Sequence, residues 1–294
     1  MKPALALLAA LLGACASPAP RPAGPLSVVD DVGDTLRFAR PATRIVSLSP
    51  ATTELVFALG AGDRLIGRTR WCDYPPAALA VPSVGDGLPP NVEAVVAAAP
   101  DLVLLYRSPQ NAPARARFRE AGIPTLTLSF DHLDDVGRLS RLLGPLLGRP
   151  AAGDSSARAF EDAIATARER TQAIPDSLRP QVLLLAWDQP PIAIGAGSFQ
   201  SEILTLAGAT NLFADVPTPS APVSVEAIAA RDPDLILLSD TGQPAFARRP
   251  EWAAVRAVRE RRFARLTTPA FGRPSPRAPE VIRELMTRLA EARP

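Results

Sequence analysis

The sequence predicts an α/β protein built as two doubly wound lobes joined by one long helix. Three observations lead there. The fourteen residues Val92 to Leu105 recur 133 positions later, at Val225 to Leu238, with nine identities. Each copy reads as a short helix, a Pro-Asp stop and an apolar strand, so one αβ unit is used twice. Apolar runs of strand length alternate with helical patterns on both sides of a central helical stretch, Gly153 to Ala173, which has no Pro or Gly after its first residue. Such alternation implies parallel pairing with crossover helices. Two similar α/β halves favour one place for a ligand, the cleft between them.

In chain order, Lys2 precedes an apolar run, Ala4 to Ala14, too short to span a bilayer and of the length of a signal-peptide core. It ends Leu12-Gly13-Ala14-Cys15, which resembles a lipobox and makes Cys15 the expected lipidation site. Residues 1–15 are therefore expected to be a leader, and the Pro/Ala-rich residues 16–27 a semi-extended tether. Val28 to Phe38 reads as a hairpin turning at Val-Gly-Asp-Thr. Strands follow at Arg44 to Leu48, Leu65 to Thr69, Leu102 to Tyr106 and Thr125 to Ser129, with helices at Thr52 to Leu59, Ala112 to Ala121 and Leu133 to Leu147. This gives an N-terminal lobe over 28–150, the connecting helix over 151–175, and a C-terminal lobe over 176–294. In the last, strands are expected at Gln181 to Ala186, Leu235 to Ser239 and Arg262 to Leu266, with helices at Ser201 to Ala207 and Val281 to Ala290, so the second half repeats the first in outline.

Composition excludes several functions. A net charge of +2 offers no basic stripe for nucleic acid. Of 32 basic residues only Lys2 is a lysine, which removes P-loop, Schiff-base and lysine-base chemistry. His132 is the single histidine, so a three-histidine zinc site cannot be built, and no metal site or cofactor is expected. No G-x-S-x-G elbow is present and no G-x-G-x-x-G follows the first strand, which argues against an enzyme. With Cys15 acylated, Cys72 has no disulfide partner and is either a small buried apolar residue or a reactive thiol.

Trp71, Tyr74, Tyr106, Phe130, Trp187 and Phe271 all fall at or just past a predicted strand end, where parallel sheets bind ligands. Their grouping favours a flat, partly apolar ligand held between the lobes. Arg273, in the proline-flanked loop Phe271 to Pro276, lies on the same rim with Arg70 and Arg107, as an oxygen-binding fork or as a solvated surface residue. Glu93 and Glu226 head the two repeated helices after Asn91 and Ser224. They complement the helix dipoles, or they form a symmetric pair for docking on a two-fold partner carrying arginines.

The stretches Arg44 to Leu55 (RIVSLSPATTEL), Cys72-Asp73-Tyr74-Pro75-Pro76, Asn91-Val92-Glu93, Pro100 to Leu104, Trp187 to Pro191 and Ser275-Pro276-Arg277 resemble the vitamin B12-binding proteins of bacterial ABC importers. Their specificity is for the wider helical-backbone (class III) substrate-binding family. The resemblance covers roughly residues 41 to 294. It implies a rigid two-lobed receptor of the periplasm or cell envelope, tethered to a membrane through Cys15, that captures a corrinoid such as cobalamin. Delivery would be to an ABC permease dimer and its ATPase, whose arginines pair with Glu93 and Glu226. It also implies that Trp71 packs on the corrin and that Phe271 and Arg273 form the C-lobe wall; Tyr74, Tyr106 and Trp187, from their strand-end positions, complete the expected ligand site. The chain departs from the best-known member of that family at Pro269-Ala270, which stand in place of an acid and a tryptophan, and near Gly85-Asp86-Gly87, where another tryptophan of the N-lobe wall falls. The alternative cargo is haem, with His132 or a tyrosine as axial ligand, or a ferric siderophore held by Arg70, Arg107 and Arg273.

Overall fold

The computed structural model describes residues 25–238 and 244–291; the leader, Cys15, the tether up to residue 24 and Ser239 lie outside them. Leu26–Val29 (β1) and Thr35–Phe38 (β2) form the expected hairpin, closed by Asp30, whose carboxylate accepts from the amides of Val32 and Asp34. The other oxygen of Asp30 accepts from Thr127 N, which pins the hairpin to the first sheet.

That sheet contains Ile45–Ser47 (β3), Leu65–Arg68 (β4), Leu102–Tyr106 (β5) and Thr125–Leu128 (β6), in the order β4-β3-β5-β6 and parallel throughout. Around it lie helices Pro50–Ala58 (α1), Val92–Ala97 (α2), Ala112–Glu120 (α3) and Asp134–Leu146 (α4). Alternate residues of each strand face opposite sides. Ile45, Leu102, Leu104 and Leu126 pack with α1 and α4, whereas Val46, Val103 and Leu105 pack on Val95 of α2 and Phe118 of α3. Both faces are covered, which is why the strands read as continuous apolar runs.

The connector Pro150–Gln172 (α5) spans 23 residues, hence roughly 35 Å at the usual helical rise. It begins three residues earlier than the sequence pattern indicates. Pro150 takes the first-turn position that needs no N–H, and Gly153 is pressed against α4: a Cβ there would stand 2.5 Å from Ser140 O, and one on Gly144 would stand 2.9 Å from Gly153 Cα. Glycine is used on both helices so that their backbones touch.

The second sheet comprises Gln181–Asp188 (β7), Pro191–Ile194 (β8), Thr210–Asn211 (β9), Ser220–Pro222 (β10), Leu235–Leu238 (β11) and Phe263–Arg265 (β12). Its order is β10-β8-β7-β11-β12, with β9 also on β7. Phe199–Leu206 (α6) and Ala278–Glu291 (α9) cover one face, and Val225–Arg231 (α7) and Arg256–Arg259 (α8) the other, with Phe246 and Trp252 in the second core. The expectation of parallel pairing fails for β8 and β10, which run antiparallel. Only Gln189 and Pro190 separate β7 from β8, and a two-residue connection permits nothing but a hairpin.

The internal repeat is structural. Ala99 and Asp232 occupy the same position in the two copies and share a φ of 47° before the proline. The next residue in each copy then ties its strand to the strand alongside: Asp101 N donates to Arg44 O at 2.8 Å, and Asp234 N to Gln181 O at 2.9 Å. Their carboxylates return the contact, Asp101 accepting from Thr43 N and Arg44 N and Asp234 from Gln181 N. The repeated Pro-Asp therefore fixes β5 beside β3 and β11 beside β7. Asp101→Ala is expected to cost about 1 kcal/mol, the net worth of exposed hydrogen bonds that water can replace, and Asp234→Ala acts in the same direction; a urea midpoint series measures both.

Candidate functional site

Beyond the carboxyl ends of β3, β5 and β6 the first lobe faces the second across a cavity of about 1040 Å³. This is where ligands bind in open parallel sheets. The first lobe contributes Ser49 to Ala51 after β3, Tyr106 to Ser108 at the end of β5 and Phe130 to His132 after β6; the second contributes Gly197 to Gln200 and Gly272 to Pro274. Its rings are Tyr106, Phe130 and Phe199. Phe199 opens α6, whose start is capped by Ser198 Oγ accepting from Ser201 N.

The polar part of the wall mixes donors and acceptors. The Tyr106 hydroxyl donates to Asp131 Oδ1 at 2.6 Å. Burial, reinforced by the hydrogen bond to Asp131 and its charge and opposed by Arg107, pushes this phenol up to about 12. Arg107 donates from Nε to Ser129 Oγ. Asn111 donates its amide N–H to Tyr106 O at 2.9 Å, yet Asn111 Oδ1 and Thr127 Oγ1, on the same wall, are buried without a partner.

The lobes are held together at both sides of this cavity. Glu54 of α1 is 3% exposed. It accepts from Ser275 Oγ at 2.6 Å and from Arg277 Nε and Nη2 at 3.0 and 2.8 Å, all from the other lobe. Burial pulls the Arg277 guanidinium down, but the hydrogen bonds and charge of Glu54 outweigh it and leave the group above its ordinary value. Tyr74 stacks on Arg277, the guanidinium carbon 3.5 Å from the ring centre. Arg273 joins the same knot, donating to Asp73 Oδ1 at 2.9 Å and to Trp71 O at 3.3 Å. On the other side His132 Nδ1 pairs with Glu202 of α6, which also accepts from Leu133 N at 2.9 Å. The hydrogen bond to Glu202 raises the imidazole above its ordinary 6.5.

Of the ligand-site residues expected from sequence, Tyr106 and Arg273 line the cavity together, as do Phe130 and Arg107. Trp71 and Trp187 do not line it and are 57% and 61% exposed. Trp71 is tied to the wall through its carbonyl on Arg273 and lies under the guanidinium of Arg70; Trp187 donates from its indole to Gln189 O. Tyr74 supports Arg277, and Phe271 is 8% exposed in the shared core, its place at the wall taken by Gly272 and Arg273. A strand-end position thus puts a ring near the rim but leaves its direction to the loop that follows. Phe199, Asp131 and Asn111 were not singled out, because a helix start and two loop polar residues carry no pattern of their own. Cys72 is fully buried, its sulfur 3.1 Å from Thr69 Oγ1, which selects the small core residue over the reactive thiol. Among the described residues no cluster of acids, His and Cys is set to hold a metal ion.

Glu93 and Glu226 both stand exposed in the first turns of α2 and α7, after the caps made by Asn91 and Ser224. Neither forms an ion pair among the described residues. The carboxyl of Glu226 is held below its usual range by its own backbone amide and by Ser224.

This two-lobed architecture with a ligand-sized gap is that of a substrate-binding receptor, and the chain belongs to the Periplasmic binding protein family, whose model matches residues 45–270. Its relatives include the vitamin B12-binding protein of Vibrio cholerae serotype O1, 29% identical over 255 residues, covering 85% of this chain and 90% of the relative. That of Yersinia pestis is 31% identical over 204 residues, 69% of this chain and 71% of the relative. Among solved structures, the vitamin B12-binding BtuF of Vibrio cholerae superposes with a TM-score of 0.71 at 28% identity, covering 86% of this chain and 98% of that one. The haem-binding RhuT of Roseiflexus sp. RS-1 gives 0.74 at 27%, covering 85% and 99%. BhuT in complex with two haems gives 0.73 at 28%, covering 85% and 98%. These relatives are named as binding proteins, and this chain is a binding protein of the same fold class.

Glu54→Ala is expected to destabilise by about 1–3 kcal/mol, since it leaves the partly buried Arg277 and the buried Ser275 hydroxyl without their acceptor; denaturant unfolding measures the loss. The His132–Glu202 bridge adds stability that is fully present below pH 6.5 and fades as pH rises through the raised folded-state value. Because His132 is the single histidine, its proton NMR signal reports this directly: a midpoint above 6.5 is expected, falling towards 6.5 in Glu202→Gln.

Proposed function

We propose that this protein is the substrate-binding component of an ABC importer and that its ligand is a corrinoid, held between the lobes and handed to a membrane permease. The observation that carries the reading is the inter-lobe cavity of about 1040 Å³, walled by three rings and by interleaved donors and acceptors, in a chain whose relatives include vitamin B12-binding proteins. That volume lies at the upper end of small-molecule sites and suits a macrocycle. Tyr106 and Arg273, with Phe130 and Phe199, are the residues proposed to touch the ligand, while Trp71, Tyr74, Trp187 and Phe271 shape or overhang the mouth. Titration with cyanocobalamin should show binding at micromolar concentration or tighter, followed by absorbance or calorimetry; absence of binding to any corrinoid would sink this ligand.

Haem is the second reading, favoured by haem-binding neighbours such as RhuT and BhuT and by His132 on the wall. Against tyrosinate ligation, Tyr106 is held as a phenol whose hydroxyl donates a hydrogen bond to Asp131. The absorption spectrum of protein purified from its native host separates the two.

In this proposal Glu93 and Glu226 dock on arginines of the permease dimer, one from each lobe, which their exposure and lack of ion pairs support. The leader, lipidation of Cys15 and the tether place the receptor at a membrane in the periplasm or cell envelope. Glu93→Ala with Glu226→Ala should abolish uptake while leaving ligand affinity unchanged; affinity falling in parallel would contradict the docking role.

A further inference from the structure

Resting on the reading that the inter-lobe cavity holds the ligand, we infer that Asp131 and Arg107 form a carboxamide clamp that selects macrocycles bearing amides over those bearing carboxylates. Both side chains belong to the cavity wall at the ends of β5 and β6, and both are positioned by neighbours. Asp131 takes the Tyr106 hydroxyl on Oδ1, and Arg107 is anchored through Nε on Ser129 Oγ. Neither forms an ion pair among the described residues, although arginines and acids nearby do, as in Arg138 with Asp31 and Asp135. The wall thus presents one carboxylate and one guanidinium fork, each with hydrogen-bonding capacity left over.

The chemistry of a group that suits both is narrow. A ligand carboxylate gains Arg107 but meets the like charge of Asp131, and an ammonium does the reverse. A primary amide offers a carbonyl oxygen to the guanidinium and N–H donors to the carboxylate, and carries no charge.

The test compares amide and acid forms of one ring: cyanocobinamide against cobyrinic acid, and the bis-amide of haemin against haemin. Wild type should bind the amide member of a pair about tenfold more tightly or better, the scale of one like-charge contact avoided. Asp131→Asn keeps an oxygen for the Tyr106 hydroxyl and removes only the charge, so the fold should persist and the ratio should move towards one by gain of acid binding. Arg107→Gln should widen the ratio by loss of acid binding. Equal binding of amide and acid by wild type, or a ratio unmoved in Asp131→Asn, overturns the clamp. Binding confined to the haem pair overturns the corrinoid reading while the clamp is still judged by that pair's ratio, and binding of neither pair overturns both.

Discussion

A carboxylate taken almost wholly out of water, Glu54 of the first lobe, is neutralised by Arg277 and hydrogen-bonded by Ser275 of the second, more than two hundred residues further along the chain. A carboxylate buried at this junction without those partners would cost several kcal/mol, so the docked arrangement depends on Arg277 and Ser275 being in place. Tyr74 stacked on Arg277 and Arg273 bonded to Asp73 extend the contact to the rim. The placing of the two cavity walls relative to each other follows from this knot. Opening the cleft widely would strip Glu54 of its partners, which opposes large hinge motion.

The core reinforces the same constraint. One apolar cluster runs from the first sheet through α1, α4 and α5 into α6, α9 and the second sheet, so the halves share packing and are not beads on a linker. The touching glycines of α4 and α5 bring the connector against the first lobe as closely as backbone allows. A receptor held this way captures ligand by a pre-shaped gap, in which fixed polar groups need not reorganise on binding.

Much of the fold was legible in the residues. The fourteen-residue repeat announced two equivalent αβ units, and the equivalence extends to the left-handed residue before each proline and the aspartate that staples neighbouring strands. The parallel sheet of the first lobe and the long connector followed from periodicity. The antiparallel edge of the second sheet did not, since Trp187 to Pro191 attracts attention as a motif and its two-residue hairpin is visible only when the strands on either side are known. The motifs Ser49 to Leu55 and Ser275-Pro276-Arg277 stood out separately, yet nothing in either tells that they meet.

The amino-acid order by itself determined local matters: where helices start and stop, which strand faces are apolar, and that lysine, multiple histidines and nucleophile elbows are missing from the chemistry. Those properties depend on a residue and its near neighbours. Only the tertiary structure decided which strand-end rings enter the cavity, that Tyr106 is bonded to Asp131, and that Phe199 and His132 face it from opposite lobes. Each of these rests on contacts between segments far apart in sequence, whose relative direction is set by packing of whole elements, and no periodicity within a single segment records it.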